Sequence, residues 1–453
     1  MMISLFFAGC AATAPTAPSP ELDLPATWSR TGPATQANTA WLDDFKDPTL
    51  ENLITEALAQ NADLQVTVAR FSQSLAEAGL SRADRGPSAG LGLNAARQKI
   101  NSFGPQSIDS VNFNNYQLGL NISWEIDLWG KLKDRSSAAN SETEASAADL
   151  LQAELSLAAQ IAKSWFNFTE SQAQWKLSRQ TAASYRKNLK TLEARFQRGL
   201  SDGLDLHRIR TQAATAEAQV AVNRRRFDAS ARQLETLLGR YPSAAIEPDK
   251  TLPPLPADIP AGLPADLLKR RPDLIAAERR LAAAEKSFSA SKKERFPSIS
   301  LTGFGGTSSE AFENLLKSDF GIWSLAGNLA QPLYQSGRIR SGIKRSAALR
   351  DQARARYRAT LLRALREVET TLAAETFLKK EYVKRRLASE QADAAETLAW
   401  ERYRAGTTRF LDALESQRTA ANARAQLISL RNLLLQNRID LYLALGGPFR
   451  NPS

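Results

Sequence analysis

The chain has 453 residues, 43% of them hydrophobic, and a formal charge of +11, so it is long and apolar enough for a sizeable core. One cysteine (Cys10) and one histidine (His207) exclude disulfides, Cys/His zinc sites and any catalytic triad needing more than one imidazole. The basic runs at 224–226, 269–271 and 384–386 lie in helix patterns also rich in Glu and Asp, without interleaved aromatics. They read as solvated helix faces rather than a nucleic-acid stripe.

The amino terminus, MMISLFFAGC, is a short apolar run ending in small residues before Cys10. It resembles a bacterial lipoprotein lipobox, which makes residues 1–10 a partial signal and Cys10 a lipidation site. No Lys or Arg precedes the run, and Ile3–Ala8 is short for a signal core, so a start upstream is expected. Residues 11–48, beginning AATAPTAPSPELDLP, read as a tether. No later stretch approaches the ~18 uninterrupted apolar residues of a membrane helix. Any membrane crossing is therefore expected to use strands.

From residue 49 the elements follow one order twice. A helix (49–84) leads to an extended hairpin (87–128), a long helix (131–197), a glycine break and a further helix (204–238). A proline-rich join (241–261) follows. The same order then recurs as a helix (264–294), a hairpin (297–334), a long helix (338–404), a break and a helix (410–445), with a tail at 448–453. Gly130/Gly337, Gly199/Gly406 and Gly239/Gly446 are each 207 residues apart. Asp63-Leu64/Asp273-Leu274 and Pro87-Ser88/Pro297-Ser298 are 210 apart. The chain is thus a tandem duplication, with domains at 49–240 and 262–447. Neither long helix has an internal Pro or Gly beyond its first turns except Gly342, and at 1.5 Å per residue each reaches ~100 Å.

Two periodicities indicate the packing. Leu206, Ile209, Ala213, Ala216, Val220, Asn223, Phe227, Ser230, Leu234 and Leu237 step by threes and fours, as a heptad seam does. Ala413, Ser416, Ala420, Ala423, Leu427, Leu430, Leu434, Asn437, Leu441 and Ala444 hold the matching places. In YQLGLNISWEIDL, 116–128, the residues Tyr116, Leu118, Leu120, Ile122, Trp124, Ile126 and Leu128 alternate with polar or small ones. Four strands of about ten residues have the length of outer-membrane barrel strands. A soluble sandwich strand can show the same alternation; four strands cannot close a barrel and lipid tolerates no open edge, so if these strands span a bilayer several chains must share one barrel.

Seven stretches carry a resemblance that covers almost the whole chain: WLDDFKDPTLENLITEAL (41–58), SWEIDLWGKL (123–132), RFQRGLSDGLDL (195–206), GLPADLLKRRPDLIAAERRL (262–281), ERFPSISLTGFGG (294–306), QPLYQSGRI (331–339) and RYRAGTTRFLDAL (402–414). In this order the chain resembles the TolC/OprM-type outer-membrane efflux proteins, within them the NodT-like lipoprotein branch. The fold class implied is α+β and mostly α: coiled-coil-like helices forming a trimeric periplasmic α-barrel, and four strands per chain in a shared twelve-stranded transmembrane barrel. The partners implied are two further copies in a homotrimer, outer-membrane lipid, a periplasmic adaptor and an inner-membrane pump of the resistance-nodulation-division class. No nucleic acid, cofactor, metal or catalytic residue is expected.

The resemblance also gives the glycine breaks a role as hairpin turns at the periplasmic tip, where Gly199, Leu204, Asp205, Gly406 and Leu411 meet the adaptor. The aperture falls on the second turn. Tyr403 takes the family's tyrosine place, Asp412 and Glu415 take its acidic places, and Thr408 with Arg409 stands where some members carry a basic group. The first turn has Phe196, Asp205 and Arg208 in the corresponding places. The function implied is a passive exit duct of a tripartite efflux system. Its competitors are a type I secretion duct for polypeptides, a soluble coiled-coil or nucleic-acid scaffold, and an enzyme. The enzyme rests on GFGG at 303–306, which has no helix after it and reads better as strand.

Overall fold

The computed structural model describes residues 28, 41–100, 110–247, 251–255 and 270–447; Cys10 and most of 11–40 lie outside them. In chain order the main elements are α1 (Pro48–Gln60), α2 (Ala62–Ala83), β1 (Ser88–Ile100), β2 (Val111–Ile126), α3 (Lys131–Gln197), α4 (Gly203–Leu237), α5 (Pro272–Lys293), β3 (Ser298–Ser309), β4 (Gly321–Ala330), α6 (Arg338–Arg404) and α7 (Phe410–Ala444). The described residues form two compact units: Ser74–Ala145 with Ala277–Arg358, and the residues up to Gln73 with Ser146–Ala276 and Ala359–Ser453.

The first unit carries the sheet. Its strands run antiparallel in the order β1-β2-β3-β4, which leaves β1 and β4 as edges. Leu91 faces Leu120 and Leu93 faces Leu118 across β1 and β2. Trp124 faces Leu301 and Ile126 faces Ile299 across β2 and β3. Leu325 and Leu329 continue these rows on β4. Since side chains alternate along a strand, this register gathers them on one face. The other face is polar: the Ser88 and Ser123 hydroxyls meet at 2.8 Å and Ser308 donates to Asn115 at 3.0 Å. Gly119 and Gly306 are cross-strand partners, and the Phe304 ring covers Gly119 so closely that a Cβ there would lie 2.4 Å from it.

The apolar face is open. Leu91, Leu93, Trp323, Leu325 and Leu329 are all exposed, the reverse of what a water-soluble sheet does with such residues. Aromatic groups sit at both ends of its rows. Near the helix end the Trp124 indole donates to the Arg85 carbonyl at 2.9 Å, and Trp129 stacks on Phe296 with ring centres 5.2 Å apart. At the far end lie Tyr116 and Phe312. Tyr116 and Trp124 are eight residues apart, about 27 Å along the strand and roughly 20 Å once tilted as in a barrel.

The second unit holds the seam residues and an aromatic core. Leu206, Ile209, Ala213, Phe227 and Leu234 of α4 are buried, as are Ala413, Ala420, Leu430, Leu434 and Leu441 of α7. Trp41, Leu42 and Phe45 belong to this core, so the segment read as a tether is packed before residue 48. Trp41 stacks on Tyr442, Phe45 tilts against Phe166, and the Trp165 indole donates to Asp47 at 2.8 Å. Asp47 also accepts from the Thr49 and Leu50 amides and starts α1.

The first helix, expected unbroken over 49–84, is interrupted at Asn61, which is extended (ψ 122). Its side-chain oxygen accepts from the Leu64 amide at 3.0 Å and its amide donates to the Leu237 carbonyl at 2.9 Å. The second copy does the same job with another residue: Arg271 interrupts the helix before Pro272 and donates to the Ala444 carbonyl at 3.0 Å. Beside these joints Gly239 and Gly446 have φ of +75 and +67. A Cβ on Gly239 would lie 2.8 Å from the Gln60 carbonyl, and one on Gly446 would lie 3.1 Å from Arg270. All six paired glycines, at 130, 199, 239, 337, 406 and 446, have positive φ; the duplication repeats a backbone requirement.

The basic runs are largely engaged within the chain. Arg271 holds Asp273 and Glu367, both at 2.8 Å. Arg224 pairs with Asp228 at 3.0 Å and covers the Trp175 ring, and Arg385 reaches Gln426 at 2.6 Å.

Candidate functional site

The two glycine turns have the same backbone. At the first, the Gly199 amide bonds to the Phe196 carbonyl (2.9 Å) and Leu200 to Arg195 (2.9 Å). At the second, Gly406 bonds to Tyr403 (3.0 Å) and Thr407 to Arg402 (3.0 Å). Each is a left-handed helix stop, with φ of +72 at Gly199 and +78 at Gly406. No atom lies within 4 Å of where a Cβ would sit on either glycine, so backbone conformation, not crowding, requires glycine there.

The side chains differ. The turn-flanking ends of the four helices share one cluster that includes Tyr185, Leu192, Leu206, Ile209, Trp400, Tyr403, Phe410 and Leu414. Tyr403 is 8% exposed. Its ring meets Trp400 at 5.7 Å and Phe410 at 5.6 Å, both edge-on, and the Arg195 guanidinium lies over it at 5.2 Å. Phe196, in the corresponding place of the first turn, is 42% exposed. Tyr403 is thus a packed ring of the cluster.

The acids have other partners. Asp412 accepts from Arg409 at 3.0 and 3.2 Å and from the Thr408 hydroxyl at 3.3 Å. Glu415 accepts from Arg418 at 3.0 and 2.5 Å. The Arg409 hydrogen bond lowers the Asp412 carboxyl below its usual range, and Arg418 does the same for Glu415. Arg418 was overlooked, although its spacing of three from Glu415 on a helix signals the pair. In the first turn Asp205 lies 3.6 Å from Arg208.

Helix starts differ too. Asp202 caps α4, accepting from the Leu204 amide at 3.2 Å. Arg409, in the matching place, gives α7 no side-chain cap and turns to Asp412 instead. Leu204 (54% exposed) and Leu411 (41%), one from each copy, line a common cavity of about 380 Å³ with His207, Arg208, Glu415 and Arg418. The tip thus presents apolar side chains ringed by charge. Further along the same unit a groove of about 940 Å³ has a mixed lining, with Gln174, Asn223 and Gln426 beside Leu177, Leu430 and Leu433. Among the described residues no group of acids, His or Cys is arranged to hold a metal ion.

Residues 53–240 and 263–447 each match the model of a family described as outer membrane efflux protein. The toluene efflux pump outer membrane protein TtgF of Pseudomonas putida is 31% identical over 413 residues, 91% of this chain and 86% of that protein. Among solved structures, the outer-membrane channel OprN is 28% identical with a TM-score of 0.89, over 97% of this chain and all of that one. The open state of the Neisseria gonorrhoeae MtrE outer membrane channel is 27% identical with a TM-score of 0.86, covering 97% and 99% of the two chains.

Proposed function

Because the chain belongs to the outer membrane efflux protein family and is the outer-membrane channel of an efflux system, we propose that three copies assemble one conduit through the membrane and the space beneath it. The observation that carries this reading is the sheet: among the described residues, four strands with one exposed apolar face, a polar opposite face and two edges that no other strand pairs. Lipid admits strands only when every edge is paired. Three sheets joined edge to edge give twelve strands, with apolar faces toward lipid and polar faces around the lumen.

In this reading the helices of the second unit form the periplasmic tunnel, and the glycine turns form its entrance. Gly199, Leu204, Asp205, Gly406 and Leu411 meet a periplasmic adaptor, and an inner-membrane pump of the resistance-nodulation-division class supplies the energy. Domains at 49–240 and 262–447, joined by 241–261, build the two hairpins each subunit contributes. Cys10 carries a lipid anchor. The aperture, around Tyr403, Thr408, Arg409, Asp412 and Glu415, carries matched acids and arginines, so it opens by exchanging ion pairs between subunits rather than by breaking a tyrosine hydrogen bond. Transport is passive and uses no catalytic group or cofactor. The name of the relative TtgF supports small apolar solutes such as aromatic solvents as one class of cargo.

Mass measurement in detergent tests the assembly. The expected result is three chains with native strand content; a stable monomer with the same strand content would overturn the reading. For the anchor, intact mass of membrane-derived protein should show an acylated mature chain beginning at Cys10, and an unmodified Cys10 removes that part of the proposal.

A further inference from the structure

The apolar face of the sheet changes chemistry at the end remote from the helices. On β1 its positions run Leu91, Leu93 and Ala95, and then Arg97 and Lys99. Across from them on β2, Tyr116 faces Ala95, Asn114 faces Arg97 and Asn112 faces Lys99. Tyr116 is therefore the last ring of the apolar band, and two cations stand on the same face immediately beyond it. Both are exposed, and neither forms an ion pair with a described residue.

The β3–β4 connection adds a second observation at the same level. It bends back over this face, held by the Thr307 hydroxyl donating to the Leu315 carbonyl at 2.5 Å. The Phe312 ring also stands edge-on to Tyr116, with centres 5.7 Å apart and planes at 83°. Thr307 and Tyr116 both belong to the apolar face by register. Leu315 is buried, yet Phe312 is 62% exposed and Leu316 88%, and Lys317 follows directly. In water a connection of this length gains by tucking such side chains inward. Here two large apolar groups stay exposed where the apolar rows end, and Phe312 reaches Tyr116, whose β1 partner Ala95 lies two positions before Arg97.

We propose that this rim is a binding site for phosphate-bearing lipid of the outer leaflet. Arg97 and Lys99, two positions apart on one strand face and therefore ~7 Å apart, hold the phosphate. Phe312 and Leu316 enter the acyl layer just below it, with Tyr116 at the boundary as aromatic belts are. Paired basic residues at a membrane surface recognise anionic headgroups in this way. The inference rests on the sheet being lipid-facing, as proposed above, and adds which lipid it selects.

Native mass spectrometry of the full-length protein, titrated with a bisphosphorylated acyl-glucosamine disaccharide, its dephosphorylated form and inorganic phosphate, tests it. The phosphorylated glycolipid should bind more tightly than the dephosphorylated one. Arg97→Gln with Lys99→Gln should cut that preference about thirtyfold, about fivefold per charge, while Arg97→Lys retains it. Phe312→Ser with Leu316→Ser should weaken both glycolipids alike. Equal binding of the two glycolipids by the unaltered protein, no change in the double Gln variant, or inorganic phosphate competing at equal affinity would each overturn the inference. Quenching of tryptophan fluorescence by brominated lipid, read on the same samples, separates the levels. Quenching without headgroup preference defeats this inference alone, and absence of quenching defeats the lipid-facing sheet with it.

Discussion

The turns at Gly199 and Gly406 share one backbone and put it to different uses. At the first, Asp202 caps the outgoing helix, and the aromatic position, Phe196, contributes little to the core. The second gives up the cap, places Arg409 there, and pairs Arg409 with Asp412 and Arg418 with Glu415 across exposed helix surface. Exposed pairs contribute little stability and exchange partners readily. What fixes the second turn is Tyr403 beneath it, wedged between Trp400 and Phe410. At matched places the first turn thus carries a cap, and the second carries exposed ion pairs over a packed ring.

The largest contrast between the turns should come from their aromatic positions. Tyr403→Ala removes a buried ring and should cost about 3–5 kcal/mol, whereas Phe196→Ala, at an exposed site, should cost under about 1 kcal/mol. Thermal unfolding of the two variants compares them directly, and similar losses would erase the asymmetry. Tyr403→Phe should be nearly silent, because the contacts that hold the residue are made by its ring.

A smaller effect separates turn glycines from joint glycines, and here the two copies should agree. Gly239→Ala and Gly446→Ala combine positive φ with a crowded Cβ position and should cost about 2–4 kcal/mol. Gly199→Ala and Gly406→Ala carry only the conformational penalty, about 1–2 kcal/mol. A turn glycine more sensitive than its joint partner would show that the tip is packed against something in the assembly.

Next comes the cap. Asp202→Ala should destabilise by about 1 kcal/mol, while Arg409→Ala should leave the unfolding midpoint unchanged and act on conduction instead. In planar bilayers, Arg409→Ala with Arg418→Ala leaves the acids unmatched and should raise cation preference severalfold, whereas Arg208→Ala should not.

The smallest expected effect is a null. The arginines hold the Asp412 and Glu415 carboxyls below their ordinary range. Their pairing is therefore complete above that range and is lost only as pH falls through the lowered values. Conductance recorded between pH 7 and pH 5 should be flat, with any change confined to below about pH 4. A transition near pH 6 would mean that the acids of different subunits crowd one another strongly enough to outweigh their arginines.

Much of this architecture was legible because it rests on backbone rules that leave marks in sequence. The glycines recur at one spacing because a left-handed turn admits little else, and the strand 116–126 shows its register through strict alternation. The interruption at Asn61 was hidden because Asn and Arg do the same capping job at matched places, one by its amide and one by its guanidinium, so comparing the copies showed no common residue. Trp41 and Phe45 were misread as tether because the Pro- and Ala-rich stretch before them masked two aromatic anchors. At the second turn the acids were legible, but Arg418, which pairs with Glu415 within the chain, was not. A carboxylate's charge state depends on which neighbour reaches it, and Arg418 lies outside the turn on which attention falls.

The joints at Asn61 and Arg271 reach beyond local stability. In each copy the start and the finish are fastened to each other, Asn61 to Leu237 and Arg271 to Ala444, so each is a closed circuit of chain rather than an open string. A segment whose ends lie side by side can be copied head to tail, or cut and rejoined elsewhere, without drawing its helices apart. A gene rearranged so that the second circuit is translated before the first would encode the same two loops and need only a new bridge between them. Each half is thus tied off on its own backbone.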